Sequence, residues 1–335
     1  MKKSIILSIL CFLGISSSFG QDTILTKKQF VVYTIFYNMV PDQNNLPLIG
    51  FINTALGDHN GAQVGYINTT LGNFSGGQIG FINTNLKSSN GAQIGYINTS
   101  LHAVKGTQIG FVNTALKEYQ GAQIGYVNTV LGESKGPQIG FVNTCASSLE
   151  GTQIGYVNVA AKTINGFQLG FVNYADSLEK GMPVGFISIV RKNGYQAFEL
   201  STNPVYALNL SFKIGVPQFY TSFIISANPG FNTSWGSGMG FGSNIYLSEK
   251  VFMNIKGSSV SKLGRNYHST SQLGIGAGYN FTNRLSASAG IGVAHQYKNR
   301  TFENFDEPVY SMFEYRINEN NRILSGLHAG VSVTL

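Results

Sequence analysis

Glu303, Asp306 and Glu307, set beside Phe302 and Phe305, form the one tight acidic cluster of this sequence. Carboxylates gathered so closely have the oxygen chemistry of a calcium loop, but the cluster reads more simply as a solvated loop. The five histidines (His59, His102, His268, His295 and His328) lie far apart and never take metal-ligand spacing. His59 and His102 fall at variable positions between recurring blocks, which predicts solvated turn residues. G-x-S-x-G, H-E-x-x-H and C-x-x-C do not occur. Gly236, Gly238, Gly240 and Gly242 suggest a phosphate cradle, yet their spacing is G-x-G-x-G-x-G and no helix follows. With no recognisable nucleophile, metal set or paired acid, no catalytic, cofactor-binding or metal-binding residue is assigned. The chain is read as a non-enzyme that needs no cofactor.

Composition points to a different setting. Charged residues make up only 11% of the sequence, against about 25% in an ordinary soluble domain. The 41 Gly, 23 Phe and 17 Tyr suit a surface that does not mainly face water. The net charge of +7 is scattered without a basic run, which excludes nucleic acid as the expected partner. Lys2 and Lys3, the apolar stretch Ile5–Ile15, and Ser18-Phe19-Gly20 make a signal-peptide pattern with cleavage before Gln21. Cys11 follows Leu10 inside the apolar run, so it does not fit a lipidation site. Cys145 is then the sole mature cysteine, and its equivalents Val130 and Ala160 predict a small packed residue. No later segment approaches 18 consecutive apolar residues, which leaves a soluble exported protein or a β-barrel.

The elements that must position any function are dominated by repeats. From Gly50 to Gly185 a glycine recurs every fifteen residues without one insertion, and an aromatic follows each. Asn recurs three residues after that glycine, from Asn53 to Asn173, and becomes Ser188 in the last unit. Each unit, G-x-Q-I-G-[FY]-[IV]-N-T-x-L, holds one extended stretch such as Gln123 to Thr129. Strand alternation would put Ile124, Tyr126 and Asn128 on one face, with Gln123, Gly125, Val127 and Thr129 on the other.

Two architectures use such a unit. In a β-solenoid each repeat is a coil and identical residues stack, so Asn68, Asn83 and their equivalents become ladder groups. In a meander each repeat is a strand of about 10 or 11 residues plus a turn, long enough to cross a membrane at a tilt. The alternation Phe51, Tyr66, Phe81, Tyr96 gives a thirty-residue super-period, as expected of strands that run alternately up and down. Asn193-Gly194 is a hairpin signal that would fold Pro183–Val190 back on Tyr195–Thr202. Both details favour the meander; Asn on its lipid face counts against it.

Past Tyr195 the fixed period stops and strand signals continue, at Tyr195–Thr202, Val205–Ile214, Phe219–Ala227, Gly236–Leu247 and Val251–Val260. Ser271–Phe281, Arg284–Gln296, Val309–Arg316 and His328–Leu335 follow, separated by turn chemistry such as Asn203-Pro204 and Thr282-Asn283. Gly274, Gly276 and Gly278 alternate with Leu273, Ile275 and Ala277, the small-inside, apolar-outside pattern of a narrow barrel wall. Trp235 reads equally as a membrane-interface marker or as a packing residue.

The repeat array and its exit resemble an uncharacterised family of bacterial envelope proteins, the surface-repeat proteins with G-x-Q-[IL]-G-x-x-N units. The resemblance covers roughly 46–220 and is most specific at Gly166-Phe167-Gln168-Leu169-Gly170-Phe171-Val172-Asn173. It implies a cell-envelope location and supplies no catalytic residues.

The expectation is an all-β chain: a signal peptide (1–20), a lead-in with a strand at Phe30–Val40 (21–45), ten repeats (46–195) and an antiparallel region (196–335). The leading architecture is an up-and-down antiparallel outer-membrane-type β-barrel of about 20 strands, one per repeat. The alternative is a β-solenoid of ten coils joined to a smaller C-terminal β-barrel or sheet. The expected function is a non-enzymatic outer-membrane or cell-surface protein with a structural or interaction role, with outer-membrane lipid as partner. A passive pore or transport barrel and a repeat-based adhesin are the other readings.

Overall fold

The computed structural model describes residues 31–41, 45–229, 234–263, 268–299, 305 and 309–335. The signal-peptide pattern, the acidic residues Glu303, Asp306 and Glu307, and Asn232-Thr233 lie outside the described residues. Regular structure in the described residues is β-strand throughout, and the chain divides into two units, Met1–Gly170 and Phe171–Leu335.

The first unit is a parallel β-solenoid, which overturns the meander. Strands Phe74–Asn85, Ser89–Ser100, Val104–Ala115 and Tyr119–Val130 pair in parallel. Each residue faces its counterpart fifteen positions on, as Gln78 faces Gln93 and Asn83 faces Asn98. Stacking like on like lets buried amides join. Asn68 Nδ2 donates to Asn83 Oδ1 at 2.8 Å, and the chain of such bonds runs from Asn38 to Asn158. A second chain joins the glutamines from Gln63 to Gln168, with Gln93 Nε2 donating to Gln78 Oε1 at 2.8 Å. From Asn53 to Asn158 each Asn also donates to a backbone carbonyl eleven residues on, as Asn98 does to Ile109 at 2.9 Å. Buried amides are tolerated where their donors and acceptors are paired. An antiparallel meander would give these side chains no such ladder.

Gln123 and Asn128 are both buried, five residues apart, while Ile124 and Tyr126 are exposed. The strict alternation therefore slips by one at Gly125–Val127, and Asn128 does not share a face with Ile124 and Tyr126. Two glycine columns permit the coil. A Cβ on Gly95 would lie 2.0 Å from the Gly80 carbonyl oxygen and 2.6 Å from Asn83 Nδ2. Gly106 has φ +141°, a conformation that L side chains rarely adopt. Phe and Tyr stack in one column, so their alternation does not report strand direction; Tyr96 and Phe111 lie 4.9 Å apart with planes 1° from parallel.

The lead-in is also different. Val32 and Met39 exchange backbone hydrogen bonds of 2.9 and 2.7 Å across a bend, and only Tyr37–Val40 is strand. That strand pairs in parallel with Ile52–Ala55, so the coil begins before the glycine repeat does.

The second unit holds an eight-stranded closed antiparallel sheet. Tyr195–Thr202 pairs with Leu208–Val216, and the order continues through Phe219–Asn228, Ser234–Tyr246, Val251–Lys262, His268–Asn280, Leu285–Lys298 and Asn321–Thr334. Residues 329–334 then pair with Tyr195–Thr202, which closes the ring and removes both free edges. Ser311–Asn318 forms a hairpin with the first half of the last strand. Asn193 takes φ +62°, as an Asn-Gly turn allows. The strand after it nevertheless pairs within the ring rather than folding back on Pro183–Val190. Within this unit Ser188 accepts the last amide bond, from Asn173 Nδ2 at 3.2 Å. Thr221 Oγ1 donates to the Phe186 carbonyl at 2.7 Å, and Phe186 meets Phe223 edge-on.

Candidate functional surfaces

The closed sheet is inverted relative to a soluble β-protein. Along Tyr195–Thr202, Phe198 and Leu200 face outward and are exposed, while Glu199 between them is 3% exposed. Its neighbours repeat the pattern: Leu210 out and Ser211 in, Val331 out and Ser332 in. Around the ring Ile225, Phe241, Ile275 and Ile291 complete an apolar exterior.

The interior is charged and filled. Glu199 accepts from Lys213 Nζ at 2.5 Å, Lys256 Nζ at 3.5 Å and Ser332 Oγ at 3.0 Å. Lys213 Nζ sits 5.0 Å above the Tyr220 ring, whose hydroxyl accepts from Asn254 Nδ2 at 3.0 Å. Farther along, Arg322 donates to Gln296 at 2.7 Å, pairs with Glu314 at 3.2 Å and lies 4.4 Å from the Phe305 ring. Val205, Tyr206, Ile224, Val260, Ala294 and Leu324 form an apolar layer. Asn203 holds that turn by accepting from the Val205 and Tyr206 amides at 2.9 and 2.7 Å. The cavity bordered by Glu199, Lys213, Lys256, Gln272 and His328 measures about 40 Å³, room for a water or two.

The inward glycines make space for these groups. A Cβ on Gly242 would strike the Tyr220 ring at 2.4 Å, and one on Gly278 the Phe252 ring at 2.1 Å. Gly236 to Gly242 is thus a wall segment of strand Ser234–Tyr246. Aromatics mark both ends of the wall. Trp235 is half exposed near one end, while Tyr246, Tyr279 and Phe281 are exposed at the other. Trp235 and Tyr246 are eleven residues apart on one strand, about 25–30 Å along the axis at the usual tilt.

The histidines do not converge. His59 is fully buried and stacks with Phe74 at 6.1 Å, which corrects its reading as a solvated turn residue. It fails as a turn residue because its position faces inward, in register with Phe74. His102 is exposed in a turn, and His268 is buried 6.3 Å from the Phe305 ring. His295 reaches Asn321 at 3.1 Å, and His328 Nε2 lies 3.3 Å from the Ile275 carbonyl. Among the described residues no three His, Cys, Asp or Glu side chains gather into a metal-binding group. Cys145 is buried in register with Val130 and Ala160, and burial pushes its thiol pKa up. Sequence patterns alone missed Asn38, which starts the amide chain; an Asn fifteen residues before Asn53 was its only signal. They missed the Glu199–Lys213–Lys256 cluster too, because its members are spread over 57 residues.

No family model, curated protein or solved structure matches this chain.

Proposed function

We propose that the chain is an exported, non-enzymatic outer-membrane protein whose eight-stranded barrel crosses the bilayer and anchors a repeat solenoid. The observation that carries this reading is the inverted polarity of the barrel. Ion pairs and amides fill its interior, while Phe198, Leu200, Leu210, Ile275 and Val331 face outward. In water such an exterior would aggregate; in hydrocarbon it is the favourable arrangement, with closure pairing the first wall strand to the last. Aromatics at both wall ends suit the two interfaces. The signal-peptide pattern and the resemblance of the repeats to envelope surface-repeat proteins agree with it. The solenoid then serves a structural or interaction role.

The filled interior favours an anchor over a passive pore. Glu199 and its two lysines, with the apolar layer at Tyr206 and Leu324, occupy the interior among the described residues. Co-fractionation with outer membranes and migration in gels that changes on heating are the expected results. Full recovery in the soluble periplasm would sink the proposal.

A further inference from the structure

Between Leu46 and Gly170 all nine charged side chains, from Asp58 to Lys162, fall in one four-residue stretch of the coil, 57–60 and its equivalents. The rest of each coil is uncharged. Two of its columns point outward. One is aliphatic, running from Val64 to Leu169 with exposures of 37–50%; the other is aromatic, from Phe51 to Tyr156 with exposures of 39–54%. The eight rings stack at steps of 4.9–5.1 Å, a ladder roughly 35 Å long. Together the columns expose on the order of 1,000 Å² of contiguous apolar surface, beyond the few hundred Å² usual on a soluble monomer.

We propose that this aliphatic–aromatic ridge beds into the headgroup–acyl boundary of a bilayer. The inference rests on the membrane reading of the barrel. Chemistry selects lipid over a second copy. The ridge lies where alternation slips, with exposed Tyr126 followed by half-buried Val127 before buried Asn128. Tyr at every second rung adds hydroxyls to the ladder, an amphipathic composition favoured at membrane interfaces. All nine charges lie in that four-residue stretch, outside both columns, the segregation expected of a surface-bound amphipathic element.

The test uses the full chain with Cys11→Ala and Cys145→Ala, refolded into phosphatidylcholine–phosphatidylglycerol vesicles. A fluorophore is attached at Ile109→Cys on the ridge or at exposed Lys105→Cys in the charged stretch. A nitroxide on the lipid chains is expected to quench the Ile109 probe several-fold more than the Lys105 probe, with iodide in the water doing the reverse. Equal quenching at the two sites would overturn the inference. So would an Ile109 probe shielded from both quenchers together with a doubled mass, which would assign the ridge to a second copy. Heat-modifiable migration is read on the same samples. A folded, inserted barrel with a water-exposed ridge defeats this inference alone; a barrel that never inserts defeats the reading beneath it.

Discussion

Asn98 is fully buried and serves three partners: it accepts from Asn83, donates to Asn113 at 2.8 Å and donates to the Ile109 carbonyl at 2.9 Å. Replacing it with leucine of similar volume strands one donor and two acceptors in a dry stack. Each lost partner costs about 1–3 kcal/mol, so Asn98→Leu is expected to destabilise the solenoid by roughly 3 kcal/mol or more. Thermal unfolding in detergent, followed by hydrogen exchange across Ser89–Ser100 and Val104–Ala115, reads the loss. An unchanged melting temperature would show that the amide chain does not hold the coils. At this scale the sequence was informative in part. The Asn and Gln columns were visible as a period, and Cys145 as a core position. Which way each side chain pointed was not, because the slip at Gly125–Val127 reverses the phase that alternation predicts for Asn128.

Coils rather than strands are the units of the first half. Because every pairing is from residue i to i+15, removing Gly106–Gln120 brings Lys105 against Gly121 and restores each ladder one step shorter. Such a chain is expected to fold, with a modestly lower melting temperature, as near-additive repeat energetics require. Removing eight residues from the same region shifts Asn and Gln out of register and is expected to unfold the neighbouring coils. Far-ultraviolet circular dichroism on both deletions separates the cases; equal damage from each would argue against in-register stacking. Eight of the nine later strands were legible within a few residues, from turn dipeptides and strand patterning; the last begins at Asn321, seven residues before the expected His328. Val205 is an exception. It belongs to the turn that Asn203 caps, and its apolar side chain serves the inner layer rather than a strand. The architecture of the repeats was less legible, because parallel and antiparallel pairing of one strand type satisfy the same local pattern. The direction of pairing follows from amide ladders that only the fold assembles.

At the scale of the molecule, low charge and high aromatic content reflect two surfaces on which apolar groups face outward. The barrel wall and the solenoid ridge both keep their polar side chains inside. The expected electrical behaviour of the barrel follows from its filling. Purified protein inserted into a planar bilayer should show no steady current, since Glu199, Lys213 and Lys256 cross-link the interior and the neighbouring cavity is only about 40 Å³. Stable, ion-selective steps would mean that these groups part, and would return the pore reading to the front.

The two amide columns of the solenoid also run in opposite senses. Each Asn donates toward the C-terminal neighbour, as Asn68 to Asn83, whereas each Gln donates toward the N-terminal one, as Gln93 to Gln78. Their dipoles oppose, so lengthening the stack accumulates little net side-chain polarisation at its tips. A helix gains end charge as its dipoles align; this stack does not. Coil number is therefore free to change by whole repeats with little electrostatic penalty, which makes reach, rather than chemistry, the property this scaffold can vary most easily.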